Sequence, residues 1–140
     1  MLTLPSVRLP NEDWARLMRF AFDAENNHHP VGSFLRAEVH RAIVTEQADD
    51  DVVRLNAWVT YRVDWESTES RIIVHPHDYV LGAHHLSVLC AVGAALIGIR
   101  VGDRMPFFDS GNTLRLVTPV SLRQEPTTLG LMRQRKYAVG

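Results

Sequence analysis

LSVLCAVGAALIGIRVGD, residues 86–103, decides the reading of this chain, because a strand, a helix and a turn follow one another in it within eighteen residues. Leu86 and Val88 alternate with Ser87 and Leu89 as a strand does. Gly93, Ala94 and Ala95 then leave almost no side-chain bulk, so another backbone can approach the short helix closely. Gly98 stands where a left-handed residue would end that helix, and Gly102-Asp103 reads as the turn that launches the next strand.

Strand patterns lie on both sides of this segment. Downstream, Arg104 to Phe108 predicts a strand, Asp109-Ser110-Gly111-Asn112 a hairpin turn, and Leu114, Leu116, Thr118, Val120 and Leu122 place a further strand with those residues on one face. Pro119 cannot donate to a ladder, which predicts an edge or a bulge there. Upstream, after the acidic break Asp49-Asp50-Asp51, Val53, Leu55, Ala57, Val59, Tyr61 and Val63 alternate strictly and predict one long strand. Asp64 to Ser70 reads as a turn, and Arg71 to His75 as a strand stopped by Pro76.

The N-terminal third has helical periodicity instead. From Asn11 as N-cap, with Glu12 and Asp13 in the first turn, Trp14, Leu17, Met18 and Ala21 form one stripe; Val31, Leu35, Val39 and Ala42 form a second. The interruption ENNHHP, residues 25–30, makes these two antiparallel helices of about 16 residues, ~24 Å each, with a tip near Asn26 to Pro30. The expected class is α+β: a short helical hairpin or coiled coil over 1–48, a sheet domain with one packed helix over 49–125, and a tail over 126–140, helical around Leu129 to Arg135.

At 140 residues, 46% hydrophobic and 22% charged, the chain can bury a real core, and its apolar runs fall far short of the ~20 residues a membrane span needs. The N-terminus has no signal-peptide pattern, and the lone Cys90 excludes an internal disulfide; both fit a reducing cytoplasm. A net charge of −1 gives no global basic field, so sequence-specific binding to naked DNA is not expected.

With these elements in order, the chain resembles the GreA/GreB family of bacterial transcription elongation factors. The resemblance rests on PVGSFLRAEVHRA (30–42), DVVRLN (51–56) and the 86–103 segment, spans most of Pro30 to Gln124, and is strongest toward the short-armed branch Rnk, the regulators of nucleoside diphosphate kinase. It implies an FKBP-like sheet domain that docks at the secondary channel of bacterial RNA polymerase, with the helical arm projecting into the channel. It also implies a cytoplasmic regulator without catalysis. The strand-to-helix loop is the implied docking site, over Cys90, Ala91, Val92 and Gly93; the family usually has a proline where this chain has Ala91, which removes one restraint from that loop. Cleavage-stimulating members carry an acidic tip motif that helps hold a second Mg2+. The tip here, Asp23, Glu25, Asn26, Asn27, His28 and His29, lacks that motif, so binding that competes with Gre-type factors without stimulating cleavage is expected. Two alternatives stand beside it: direct regulation of nucleoside diphosphate kinase, and peptidyl-prolyl isomerase activity, for which Trp14, Trp58, Trp65 and Phe107-Phe108 are the aromatic candidates.

Other chemistry finds little support. The pairs His28-His29, His75/His77 and His84-His85 match no zinc-ligand spacing and read as surface histidines, so no metal, cofactor or catalytic residue is assigned. Cys90 has no basic partner in the pattern and reads as a buried structural thiol; GIRVGD lacks the Gly-Lys-Ser/Thr ending of a phosphate loop.

Overall fold

The computed structural model describes residues 4–47 and 49–123. Its elements are β1 (Arg8–Pro10), α1 (Asn11–Asn26), α2 (Gly32–His40), β2 (Ile43–Thr45), β3 (Trp58–Val63), β4 (Glu69–Val74), β5 (His85–Ser87), α3 (Ala91–Leu96), β6 (Met105–Phe108) and β7 (Leu114–Arg123), with a 3-10 turn at Pro76–Asp78. The class is α+β, as expected: three helices and a curled five-stranded sheet in the order β5-β4-β3-β7-β6, with a separate parallel pair β1-β2. The tail expected over 126–140 lies outside the described residues.

The α1 stripe buries Leu17, Ala21 and Ala24, and α2 buries Leu35 and Val39 against it. Opposed positions meet along the pair: Trp14 Nε1 donates to the Val39 carbonyl at 3.2 Å, and Arg36 pairs with Glu25 near the other end. Two expectations need correction. The α1 N-cap is Pro10, with no side-chain cap from Asn11. The second helix has 9 residues, because Pro30 delays its start and the β-branched run Ile43-Val44-Thr45 leaves to pair with β1. The parallel pair β1-β2 itself is unannounced by any period of useful length; it is set by Ile43 N–H donating to the Val7 carbonyl.

The strands follow one another along the chain as expected, with three further corrections. The alternation from Val53 to Val63 is a strand only from Trp58, since Asn56 has φ +66° and breaks the extension. Val52 forms an isolated bridge with Arg100, and Val53 exchanges bonds with the segment after α3: its N–H donates to the Ile99 carbonyl, and its carbonyl accepts from Gly98 N–H. On β7 the buried residues are Val117 and Pro119, not the even-numbered set. A register shift opposite Thr60/Tyr61 accommodates Pro119, so it marks a bulge on an interior strand. β4 begins at Glu69, two residues earlier than Arg71, and pairs in parallel with β5.

Two glycines make the central segment possible. A Cβ on Gly93 would lie 2.2 Å from the Ser87 carbonyl oxygen, so α3 seats directly on the end of β5 only without a side chain. Gly98 has φ +81°, and its Cβ would meet Val7 Cγ1 at 2.5 Å. The core then runs continuously from Val7, Leu9, Leu17 and Leu35 through Val53 and Val59 to Leu96, Ile97, Ile99, Met105 and Val117. Strain plus overpacking predicts that Gly98→Ala lowers unfolding free energy by about 2–4 kcal/mol. Urea titration checks it, against Gly111→Ala, where a Cβ meets nothing closer than 3.5 Å and should change little.

Candidate docking surface

α3 starts where the chain turns off β5. Ser87 Oγ accepts from Leu89 N–H at 3.1 Å, the Ser87 carbonyl accepts from Cys90 N–H at 3.2 Å, and Cys90 Sγ accepts from Gly93 N–H at 3.3 Å. Cys90 is thus the N-cap of α3, with extended backbone at φ −115° and ψ 162°. A thiol-bearing residue does here what Ser, Thr, Asp or Asn usually does. Burial pushes the Cys90 thiol up from its ordinary value, partly countered by the Gly93 and Val92 N–H groups and by the nearby Arg71 charge.

The four docking candidates divide accordingly. Gly93 is buried against Ser87, while Cys90, Ala91 and Val92 are half-buried and offer the solvent-facing part of the turn. The polar group beside them is missed by sequence reasoning: Tyr61 OH donates to Glu69 Oε2 at 3.2 Å, and Arg71 Nε reaches the same oxygen at 3.4 Å. Burial, then the Glu69 charge, pushes the Tyr61 phenol up to about 12, so it remains a donor across the physiological range. The antiparallel register Tyr61↔Glu69, a pairing that neighbouring residues in sequence do not encode, brings the group together.

The tip candidates lie on another part of the molecule. Asp23, Asn26, Asn27 and His28 are exposed, His28 with φ +58°; His29 Nδ1 accepts from Val31 N–H at 3.1 Å and helps close the turn. Glu25 is ion-paired with Arg36, whose guanidinium also lies 4.9 Å from the Phe22 ring centroid. Gly32 lets the helices touch here, since a Cβ would lie 2.7 Å from Glu25 N. Among the described residues of the tip, Asp23 presents a carboxylate with no cation paired to it.

The histidines do not converge. His75 and His77 stack at 4.9 Å, His75 packs on Phe20 at 4.4 Å, His84 lies 6.1 Å from Trp58, and His85 lies 6.2 Å from Tyr79. Among the described residues no group of three or more His, Cys, Asp or Glu is arranged to hold a metal ion. Trp14 is half-buried against the core, Trp58 half-exposed, and Trp65 88% exposed; Phe107 is buried while Phe108 is exposed. An open groove of about 770 Å³ lies elsewhere, at the start of α1, lined by Glu12, Val44, Glu46 and Arg54 among others and by no aromatic side chain. No described helix is long and apolar enough to cross a membrane.

Comparison with known proteins agrees with this geometry. Residues 47–114 match the family model "Transcription elongation factor, GreA/GreB, C-term". The regulators of nucleoside diphosphate kinase of Escherichia coli (strain K12) and of Shigella flexneri are each 32% identical over 104 residues, covering 72% of this chain and 76% of theirs. In three dimensions the chain is similar to a prokaryotic transcription elongation factor GreA/GreB from Nitrosomonas europaea, with TM-score 0.66, 28% identity, and coverage of 84% of this chain and 98% of that one.

Two outcomes follow from the titrating groups. Thiol-specific alkylation of Cys90 at pH 7.5 should run at least several-fold slower than for a free cysteine, with its midpoint shifted to higher pH; a rate at or above the free-thiol rate contradicts the capped, buried geometry. His75 is held below its ordinary value, first by burial and then by Arg16 and His77. The folded state therefore favours the neutral ring, and its stabilising share is complete above the unfolded value near 6.5 and falls as pH drops from there through the lowered folded value. NMR titration of the ring, and loss of part of the acid-side stability change in His75→Gln, check the sign.

Proposed function

The chain belongs to the GreA/GreB transcription elongation factor family, close to the regulators of nucleoside diphosphate kinase, and from that premise we propose that it docks at the secondary channel of bacterial RNA polymerase as a non-catalytic regulator. The sheet with its short helix is read as an FKBP-like docking module and the α1/α2 pair as an arm. The observation that carries this reading is the pairing of family membership with a short, nearly uncharged tip. α2 spans 9 residues, about 14 Å at 1.5 Å per residue. A Mg2+ ion takes its ligands from one or more free carboxylates and water. Of the two carboxylates near the tip, Glu25 is neutralised by Arg36 and only Asp23 remains. Competition with Gre-type factors without transcript cleavage follows.

On this reading Ala91 and Val92, with Arg71 close by, meet the polymerase, and the Cys90 cap keeps the turn in shape without the proline usual in the family. A second reading has one observation in its favour, the name of the two curated relatives: direct contact with nucleoside diphosphate kinase. Prolyl isomerisation has none, since Trp14 and Phe107 are committed to the core while Trp65 and Phe108 stand exposed, so these aromatics line no common pocket.

Binding of purified core polymerase in the micromolar range, displaced by a Gre factor and weakened about tenfold or more by Val92→Asp, is the expected result; tenfold corresponds to about 1.4 kcal/mol. Stalled elongation complexes should show no added RNA cleavage. Absence of polymerase binding overturns the proposal, and binding of nucleoside diphosphate kinase in its place establishes the second reading.

A further inference from the structure

The connection from β4 to β5, residues 76–84, carries the run Tyr79-Val80-Leu81, which is 45%, 55% and 86% exposed. An apolar run so exposed gains little from burial, so polar contacts hold it in place. Its two ends are fixed in the same way. At the start, His75 Nδ1 accepts from His77 N–H at 3.2 Å and caps the 3-10 turn at Pro76–Asp78. At the far end, His85 Nδ1 accepts from Val80 N–H at 3.0 Å. The other backbone bonds of the run lie within residues 75–83: Asp78 N–H donates to the His75 carbonyl, Tyr79 N–H to the Pro76 carbonyl, and Ala83 N–H to the Val80 carbonyl.

An imidazole nitrogen accepts a hydrogen bond only while it lacks a proton, so both ends need the neutral ring with its proton on Nε2. Protonation turns each acceptor into a donor that faces another donor. At His75 the surroundings add to this. Arg16 on α1 and His77, stacked at 4.9 Å, oppose a positive charge there, while Asp78 favours one. The apolar Phe20 ring of α1 packs on His75 at 4.4 Å, and Asp78 is shared with Arg16 at 3.6 Å. Burial, then Arg16 and His77, hold the His75 ring below its ordinary value. Around His85 the loop supplies Val80 N–H and the Tyr79 ring at 6.2 Å, and β4 supplies Ile72 as its strand partner. Among the described residues no charged side chain is paired with His85.

We propose that residues 76–84 form a proton-released loop: neutral His75 and His85 hold Tyr79-Val80-Leu81 in place, and protonation of the two rings frees that run. Histidine changes charge between about pH 5 and pH 8, so the loop responds within that window. For His75 the lowered value sets the sign. The closed loop is complete above the ordinary histidine value near 6.5 and is lost as pH falls from there through the lowered one. Release leaves the sheet paired, because neither imidazole takes part in a strand ladder. The loop is separate from Ala91 and Val92, so the proposal does not depend on polymerase docking.

The test is amide hydrogen exchange of the full chain, with each rate divided by the intrinsic rate at the same pH. Between about pH 7.5 and about pH 5, protection of the His77 and Val80 amides should fall by about fivefold or more. Val53 and Ile73, bonded to the Ile99 and Ala57 carbonyls, should stay protected. Asparagine places an acceptor oxygen where the imidazole has Nδ1 and does not titrate. His75→Asn with His85→Asn should therefore keep the protection at both pH values, and His75→Ala with His85→Ala should lack it at both. His84→Asn, at φ +59° where asparagine is tolerated, should leave the fall unchanged, because the His84 ring stands toward Trp58. Equal protection at the two pH values, a fall that survives the double asparagine variant, full protection in the double alanine variant, or a matching fall at Val53 and Ile73 overturns the proposal. So does a fall abolished by His84→Asn, which would place the titrating ring elsewhere.

Discussion

The architecture hangs on one crossing of three backbones at Gly98. Its carbonyl accepts from Arg8 N–H at 2.7 Å and its N–H donates to the Val53 carbonyl at 2.8 Å, while Val53 N–H reaches Ile99 at 2.9 Å. Each segment at this crossing is buried, so each polar group left unmatched would carry a desolvation penalty of about 1–3 kcal/mol. The left-handed conformation of Gly98 is what aims its two polar groups at different neighbours. Through Val7 and Ile43 the same network reaches β2, and so it fixes both ends of the helix pair to the sheet.

Around that anchor the charges are organised in small closed sets. Arg115 holds Asp64, Glu66 and Asp109, tying two turns at one end of the sheet; Arg100 holds Asp49 and Asp51 beside the crossing; Arg41 satisfies the buried Glu38 on α2. Most of these pairs are solvent-exposed and contribute little stability, typically under about 1 kcal/mol each. Their larger effect is to consume carboxylates, which leaves the helical tip almost without free acid.

How much of this could be read from the residues depends on the range of the interaction concerned. α1, β4, β6, the Asp109–Asn112 turn and the Gly93/Gly98 logic are local and were legible from period and turn chemistry. Val53 to Ala57 alternates because it is buried, yet its partner is a loop at Gly98–Ile99, and alternation does not distinguish a sheet neighbour from a lone crossing strand. β1 and β2 are three residues each and find one another across 35 positions, Arg8 to Ile43, beyond any local signal. On β7 the face was misassigned because the bulge at Pro119 shifts register within the strand. At the turn into α3 the position of Cys90 directly before the helix was a usable clue to its cap role, whereas the Tyr61–Glu69–Arg71 group and the Glu25–Arg36 pair exist only once register and helix packing are known.

The crossing at Gly98 also imposes an order of events in time. Arg8 leaves the ribosome 90 residues before the carbonyl it must meet, which at about 5–20 residues per second is a delay of roughly 5–20 s. The helix pair can collapse on itself in that interval, but β1 has no partner for its second edge and Leu9 no complete core until residues 94–99 arrive. The N-terminal third is made well before it can be completed, while β6 and β7 still have to follow.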